Sequence, residues 1–304
     1  MRHRVLLTGS TGFVGSAVLA VLLRRAAVDV RVLLRPGRAV SPRAAVTVVR
    51  GDLAEPATLA GACAEVDVVI HAASYVGPDA RRCAVVNDLG TAALARAATE
   101  AGVRRLVYVS TASVYGPGPH RGATEGALPT APASPTSASR LAAEGWVGSA
   151  GGLVLRPHLV YGAGDRWVLP GLAALLAGPG LIENGDALMS MIGVPDLARV
   201  TVALALDRIG APTAPVYHAN HPRPIRLGDA LAALAGRLEV ALPRGTLSRA
   251  AARTLLPHLP DRLIELAAVD HWYDSTAVWR DAGIPPGPPV ERDLADGAGG
   301  DPRQ

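Results

Sequence analysis

The 304-residue sequence contains no lysine, so its positive charge is carried by arginine alone. The arginines are scattered, with no basic run of five or more, and the net balance is only +4, which argues against a nucleic-acid footprint. Only Cys63 and Cys83 occur, at neither disulfide-framework nor zinc spacing, so no metal site is expected and a reducing cytoplasm suits the chain. No uncharged apolar stretch reaches about 18 residues, so no membrane span is expected. No charged-then-apolar leader precedes the first strand. Aromatics make up 4%, and there is a single phenylalanine. Hydrophobic residues nevertheless reach 49%, enough for the packed core of one large domain or one and a half.

What the chain does have begins at residue 4. Arg4-Val5-Leu6-Leu7 reads as a strand, Val14 to Ala26 as a helix, and Thr8-Gly9-Ser10-Thr11-Gly12-Phe13-Val14-Gly15 lies between them. A strand, a glycine turn and a helix form a phosphate cradle. Gly9 permits the turn, Gly12 lets backbone approach a pyrophosphate, Gly15 lets helix pack on strand, and the first free N–H groups of the helix face the anion. Thr11, Phe13 and Val14 belong to the same cradle. Val30 to Arg35 reads as the second strand. No acid for a ribose 2′-hydroxyl stands at its end; Arg35 does, which suits the 2′-phosphate of NADP. Val46–Val49, Asp67–His71 and Arg105–Val109 continue the strands, and Ala80 to Ala101 reads as one long helix. Apolar strands alternating with helices predict an α/β protein with a Rossmann, doubly wound parallel sheet.

Further stretches stand in order along the chain: Gly51-Asp52-Leu53, His71-Ala72-Ala73, Asn87 with Gly90-Thr91, Ser110 to Gly116, Leu155-Arg156-Pro157, Val160-Tyr161-Gly162, Gly193 to Ala198 and Asp274-Ser275. With the glycine turn, they resemble the extended short-chain dehydrogenase/reductases of the sugar epimerase/dehydratase type. That resemblance implies cofactor contacts at Asp52 (on the adenine amine) with Leu53, at Ala72, Ala73 and Ser74 along the ribose side, and at Pro157. It implies that Thr111 holds a substrate carbonyl and that His71 is structural; Ser113, close to Thr111 in sequence, could share that carbonyl.

The family's proton-transfer pair, Tyr-x-x-x-Lys, is missing. Aligned on the Pro-rich loop 128–135 and on Ala142-Ala143-Glu144, the tyrosine slot holds Thr136 and the lysine slot holds Arg140. Carbonyl reduction needs a hydride on carbon and a proton on oxygen. A threonine hydroxyl is too weak an acid to replace tyrosine, and arginine keeps its proton. Arg140 can still hold ribose hydroxyls, and Thr136 can at most relay a proton. Three readings follow. The first is a ketoreductase whose substrate carries its own acid, a phenol beside the ketone as in polycyclic aromatic polyketides. The second is a redox-silent NADP-binding sensor or scaffold. The third is a nucleotide-sugar epimerase or dehydratase, which would need the missing tyrosinate. Tyr75, Tyr115, Tyr161 and His158 are other acids near the expected site.

Residues 1–165 are expected to form the NADP-binding domain, with about 187–226 returning to it. Residues 166–295 form a smaller, mostly helical substrate cap, and 296–304 a disordered tail; Pro285–Pro289 also looks disordered. Asp165–Gly180, Arg226–Gly236 and Ser248–Ala268 read as helices, and Leu188–Ile192 is expected to cross the cleft. The cap carries Trp167, Met189, Met191 and Trp272 and little basic charge, which suits a flat apolar ligand better than a diphosphate. The reading favoured is an NADPH-dependent ketoreductase of antibiotic biosynthesis acting on an angucyclinone-like aromatic ketone. On the missing pair, the chain resembles antibiotic-pathway ketoreductases of the simocyclinone type.

Overall fold

An inner strand of a parallel sheet is covered by helices on both faces and reads as an unbroken apolar run. Strand β1 (His3–Thr8) is such a strand: Val5, Leu6 and Leu7 are fully buried. The computed structural model describes residues 2–40, 45–207 and 214–297. After β1 come α1 (Phe13–Leu22), β2 (Val28–Leu34), β3 (Val46–Arg50), α2 (Ala60–Cys63) and β4 (Val68–His71). Then follow α3 (Ala80–Cys83), α4 (Gly90–Glu100), β5 (Arg105–Val109), β6 (His120–Ala123), α5 (Pro135–Ser149), β7 (Leu153–Arg156) and β8 (Leu159–Tyr161). The next elements are α6 (Val168–Leu176), β9 (Leu181–Ile182), β10 (Leu188–Met189), β11 (Met191–Gly193), α7 (Val194–Leu206) and β12 (Val216–His218). The last are β13 (Ile225–Arg226), α8 (Leu227–Leu238), β14 (Thr246–Leu247), α9 (Arg249–Leu255), α10 (Asp261–Ala268), β15 (His271–Tyr273), α11 (Thr276–Ala282) and α12 (Val290–Asp296).

Seven strands form one parallel sheet in the order β12-β7-β5-β4-β1-β2-β3. Alternate side chains feed two cores. Val5, Leu7, Val32, Ile70 and Val107 pack with α1 and α7 on one face. Leu6, Leu33, Val69 and Tyr108 pack with α4 and α5 on the other. The chain order reverses between β1 and β4, which opens a crevice at the carboxyl ends of the strands, the place where this architecture binds nucleotides. The doubly wound α/β fold is therefore as the sequence predicts.

The second region is mostly helical, as expected, but it also holds short strands. Beside α6, α8, α9 and α10 it contains a four-stranded sheet, β13-β10-β15-β6. Residues 187–226 divide: β12 joins the main sheet, while β10 and β13 pair in the smaller one. Between β10 and β11 the chain passes from the smaller sheet to β8, and Met189 and Met191 are buried in the second core with Tyr161, Leu169, Leu231 and Ile264. Ser248–Ala268 is two helices, broken at Leu256–Pro260 because Pro257 and Pro260 cannot continue an α-helix. Helix Ala80–Ala101 carries a π-turn at Ala84–Leu89, an extra residue of winding that turns Asn87 inward. Pro285–Pro289 is not disordered: Arg199 donates to the Pro285 carbonyl and the Gly287 N–H donates to Asp196. Of the expected tail, Asp296 ends α12 and residues 298–304 lie outside those described. No described helix is long and apolar enough to cross a membrane.

Candidate active site and dinucleotide cradle

The glycine turn is built as close backbone contacts. Gly9 has φ 76°, and a Cβ there would lie 2.6 Å from the Ala73 nitrogen and 2.7 Å from the Ala72 carbonyl. A Cβ on Gly15 would overlap the Gly9 carbonyl. Gly12, whose N–H donates to Gly9 O at 2.8 Å, meets nothing nearer than 3.3 Å, so its open side faces the crevice. Inside this turn the Ser10 hydroxyl is buried with no partner among the described residues. Thr11 is exposed, Phe13 and Val14 begin α1 at the mouth, and the Phe13 ring faces Gly164 across the crevice.

Beneath the turn, His71 ties three elements together. Its Nδ1 meets the Thr8 hydroxyl at 2.7 Å and its Nε2 the Thr91 hydroxyl at 2.9 Å. Burial, reinforced by nearby Arg140, pushes its pKa down to about 3, so it stays neutral. Thr8 Oγ1 also accepts the Ala73 N–H, which sets Ala72 and Ala73 against Gly9. Leu53 is buried against Gly90. Asp52 Oδ1 accepts the Ala54 N–H at 3.0 Å, and Arg35 is exposed immediately after β2.

The substrate side is assembled where β4, β5 and the first turns of α5 meet. Ser134 caps α5 in a reciprocal capping box with Ser137, and Pro135 takes the first helical position. Asn87, brought in by the π-turn, clamps the loop after β4 to this helix. It accepts from the Tyr75 N–H at 2.7 Å and from Ser74 Oγ at 3.1 Å, and donates to Tyr75 O and Ser139 Oγ. Thr111 Oγ1 accepts the Ser113 N–H and donates to Ser113 Oγ at 3.2 Å. Ser113 is exposed, so the pair presents the Ser113 hydroxyl proton outward. The Pro157 carbonyl accepts the Ala112 N–H at 2.8 Å and fixes this turn from the other side.

The Tyr-Lys slots are filled differently from any proton-transfer pair. Thr136 Oγ1 donates to the Gly77 carbonyl at 3.0 Å, so its proton is held by backbone. Arg140 Nη2 donates to the Val109 carbonyl at 2.7 Å, and its Nε is buried without a partner among the described residues. Because the Thr136 proton is already committed, Thr136→Ala is expected to retain kcat within about tenfold, against about 10²–10⁴ for loss of a true general acid. Steady-state kinetics check this, and a thousandfold loss with normal cofactor binding would make Thr136 a relay.

Two of the other acids are structural. Tyr115 is buried, bonded to Arg156 and to His218 Nε2 at 2.7 Å. Tyr161 donates to Asp293 at 2.7 Å, and burial pushes its pKa up. His158 Nε2 is buried without a partner among the described residues, and burial pushes its pKa down to about 3. Tyr75 differs: it is half-buried, with the Arg82 guanidinium 4.6 Å from its ring centroid and its hydroxyl close to Gly77, the residue whose carbonyl Thr136 binds.

One group beneath the site is given no role by the sequence. Glu144 accepts Arg156 Nε at 3.0 Å and Ser110 Oγ at 2.5 Å, and both partners are buried. Ser110 precedes Thr111, so this ion pair sets the turn that carries the hydroxyl pair. The Leu155-Arg156-Pro157 and Ala142-Ala143-Glu144 stretches flag both residues, but their pairing is visible only in the fold.

The donor set fits a nicotinamide dinucleotide. The unpartnered Ser10 hydroxyl lies in the glycine turn, where a pyrophosphate would sit. Bound, such a cofactor supplies or accepts a hydride; the chain's own groups position and polarise.

The comparisons agree with this geometry. The model of the NAD-dependent epimerase/dehydratase family matches residues 5–216. A 2-alkyl-3-oxoalkanoate reductase of Stenotrophomonas maltophilia is 30% identical over 326 aligned positions, covering 96% of this chain and 97% of the relative. A 4-hydroxy-2-methyl-3-oxo-4-farnesyl-3,4-dihydroquinoline-1-oxide ketoreductase of Stigmatella aurantiaca is 29% identical over 273, covering 86% and 80%. The Bordetella bronchiseptica enzyme WbmH, solved with NAD+, shares the fold at TM-score 0.78 and 22% identity, covering 97% of each chain. From the glycine turn to β12, the chain belongs to the NAD-dependent epimerase/dehydratase family.

Proposed function

We propose that this chain is an NADPH-dependent ketoreductase of antibiotic biosynthesis, reducing a ketone on a polycyclic aromatic, angucyclinone-like polyketide. The observation that carries the reading is the Thr136 hydroxyl bound to the Gly77 carbonyl, in the slot where an epimerase or dehydratase needs a tyrosinate. Arg35 at the end of β2 supports NADPH over NADH. The two reductases among the relatives span most of this chain, which supports ketone reduction over sugar chemistry. On this reading Ser113, backed by Thr111, donates to the substrate carbonyl, and Arg140 holds the ribose side of the cofactor. With hydride supplied to the carbonyl carbon by the bound cofactor, the oxygen would take the proton of a neighbouring substrate phenol. The phenolate left behind takes its proton back from water.

A second reading has one observation in its favour. Tyr75 shares Gly77 as a neighbour with Thr136 and has a half-buried phenol, so it could give the proton instead. A single pair of substrates decides. NADPH oxidation is expected with a polycyclic ketone carrying a free peri-hydroxyl, and to fall about a hundredfold or more when that hydroxyl is methylated, the cost of removing a general acid. Equal rates would overturn substrate assistance and point to Tyr75. NADPH binding with no turnover across a broad ketone panel would make the chain a sensor.

A further inference from the structure

At the adenosine end of the crevice a cleft of about 270 Å³ is lined by Arg35, Asp52, Asp79, Arg81, Arg82 and Val85, among others. These residues come from separate parts of the chain: the end of β2, the loop after β3, helix α3 and the π-turn behind it. Three guanidiniums face two carboxylates, and both carboxylates are already used on backbone. Asp52 Oδ1 accepts the Ala54 N–H, and Asp79 Oδ1 accepts the Arg82 N–H, capping α3. Arg82 lies over the Tyr75 ring. Arg35 and Arg81 are exposed, and no ion pair or side-chain hydrogen bond engages either of them among the described residues. Arg35 does not wander freely at its root, because Arg50 Nη1 donates to the Arg38 carbonyl at 2.6 Å and holds the turn from residue 35 to 38.

We propose that Arg81 is the second arm of a 2′-phosphate clamp, closing on the ligand from α3 while Arg35 closes from β2. The proposal rests on the NADPH reading above and adds a residue to it that no motif marks. Charge makes one arm insufficient. A phosphate monoester carries about −1.5 to −2 at neutral pH. A single arginine would leave roughly half of that facing Asp52 and Asp79, whereas two guanidinium forks neutralise it and offer paired donors to its oxygens. Val85 and its neighbour Val86 give the adenine ring an apolar wall on the same side.

The test separates the phosphate from the rest of the cofactor. The full-length chain, Arg81→Gln and Arg35→Gln are titrated calorimetrically with 2′,5′-ADP and with 5′-AMP, neither of which carries a nicotinamide. Arg81→Gln is expected to weaken 2′,5′-ADP by about ten- to a hundredfold, the worth of a charge-assisted hydrogen bond. Its 5′-AMP affinity is expected to stay within about twofold, and Arg81→Lys to recover part of the loss. Unchanged 2′,5′-ADP binding in Arg81→Gln, or equal losses for both nucleotides, overturns the clamp. A wild-type chain that does not distinguish the two nucleotides overturns the NADPH reading itself, and the clamp with it.

Discussion

Gly15→Ala is expected to abolish measurable nicotinamide-dinucleotide binding and to lower the melting temperature. A Cβ at residue 15 lies 2.5 Å from the Gly9 carbonyl carbon, and the obstacle is backbone, which has no rotamer to change. Helix α1 would have to lift from the turn, opening the contact that sets the helix N–H groups over the crevice. Overpacking of this kind costs about 1–3 kcal/mol of stability or more, and the displaced cradle loses the ligand altogether. Gly12→Ala is the control. Its Cβ meets only the Gly9 carbonyl oxygen at 3.3 Å, so the fold should tolerate it within about 1 kcal/mol, the usual Gly-to-Ala range. Its effect should fall on cofactor affinity. Equal melting losses for the two variants would sink the steric account.

Glu144→Ala is expected to cost about 3–5 kcal/mol in urea unfolding, because it strands a buried guanidinium. Arg156 side-chain exposure is only 10% and that of Glu144 6%, so solvent offers little compensation. The loss also frees Ser110, and with it the turn of Thr111 and Ser113, so kcat should drop along with stability. Replacing both partners, Glu144→Met with Arg156→Met, should recover most of the stability, since an apolar pair leaves no charge unpaired. A single-variant cost below about 1 kcal/mol would show that the pair is solvated in solution.

The halves of the molecule were unequally legible. Strands β1, β2, β4 and β5 could be read from runs such as Val5-Leu6-Leu7 because burial on both faces demands unbroken apolar sequence. The glycine turn was legible because backbone clash leaves glycine no substitute at residues 9 and 15. The π-turn was not, since its cause is a set of hydrogen bonds from Asn87 to the loop at residues 74–75 and to Ser139, far off in sequence. Met189 and Met191 read as cap residues facing an apolar ligand, yet each is buried in a different short strand of the second core. Arg81 carried no signal at all: an exposed arginine on a helix is ordinary until α3 and the end of β2 line the same cleft. The hydroxyl of Thr136 could be placed by alignment, but its commitment to Gly77 O could not.

The smaller sheet also sets an order of assembly. β6 pairs with β15, and His120 Nδ1 meets the Tyr273 hydroxyl across a sequence separation of 153 residues. By contrast, β1, β2 and β3 pair among near neighbours in the chain. Long loops close late, because their entropy is lost before any contact returns it. During synthesis, the strands around the glycine turn can therefore pair while the smaller sheet still waits for residues 271–273. The β6 strand is thus left without its partner until the last tenth or so of the described chain has emerged.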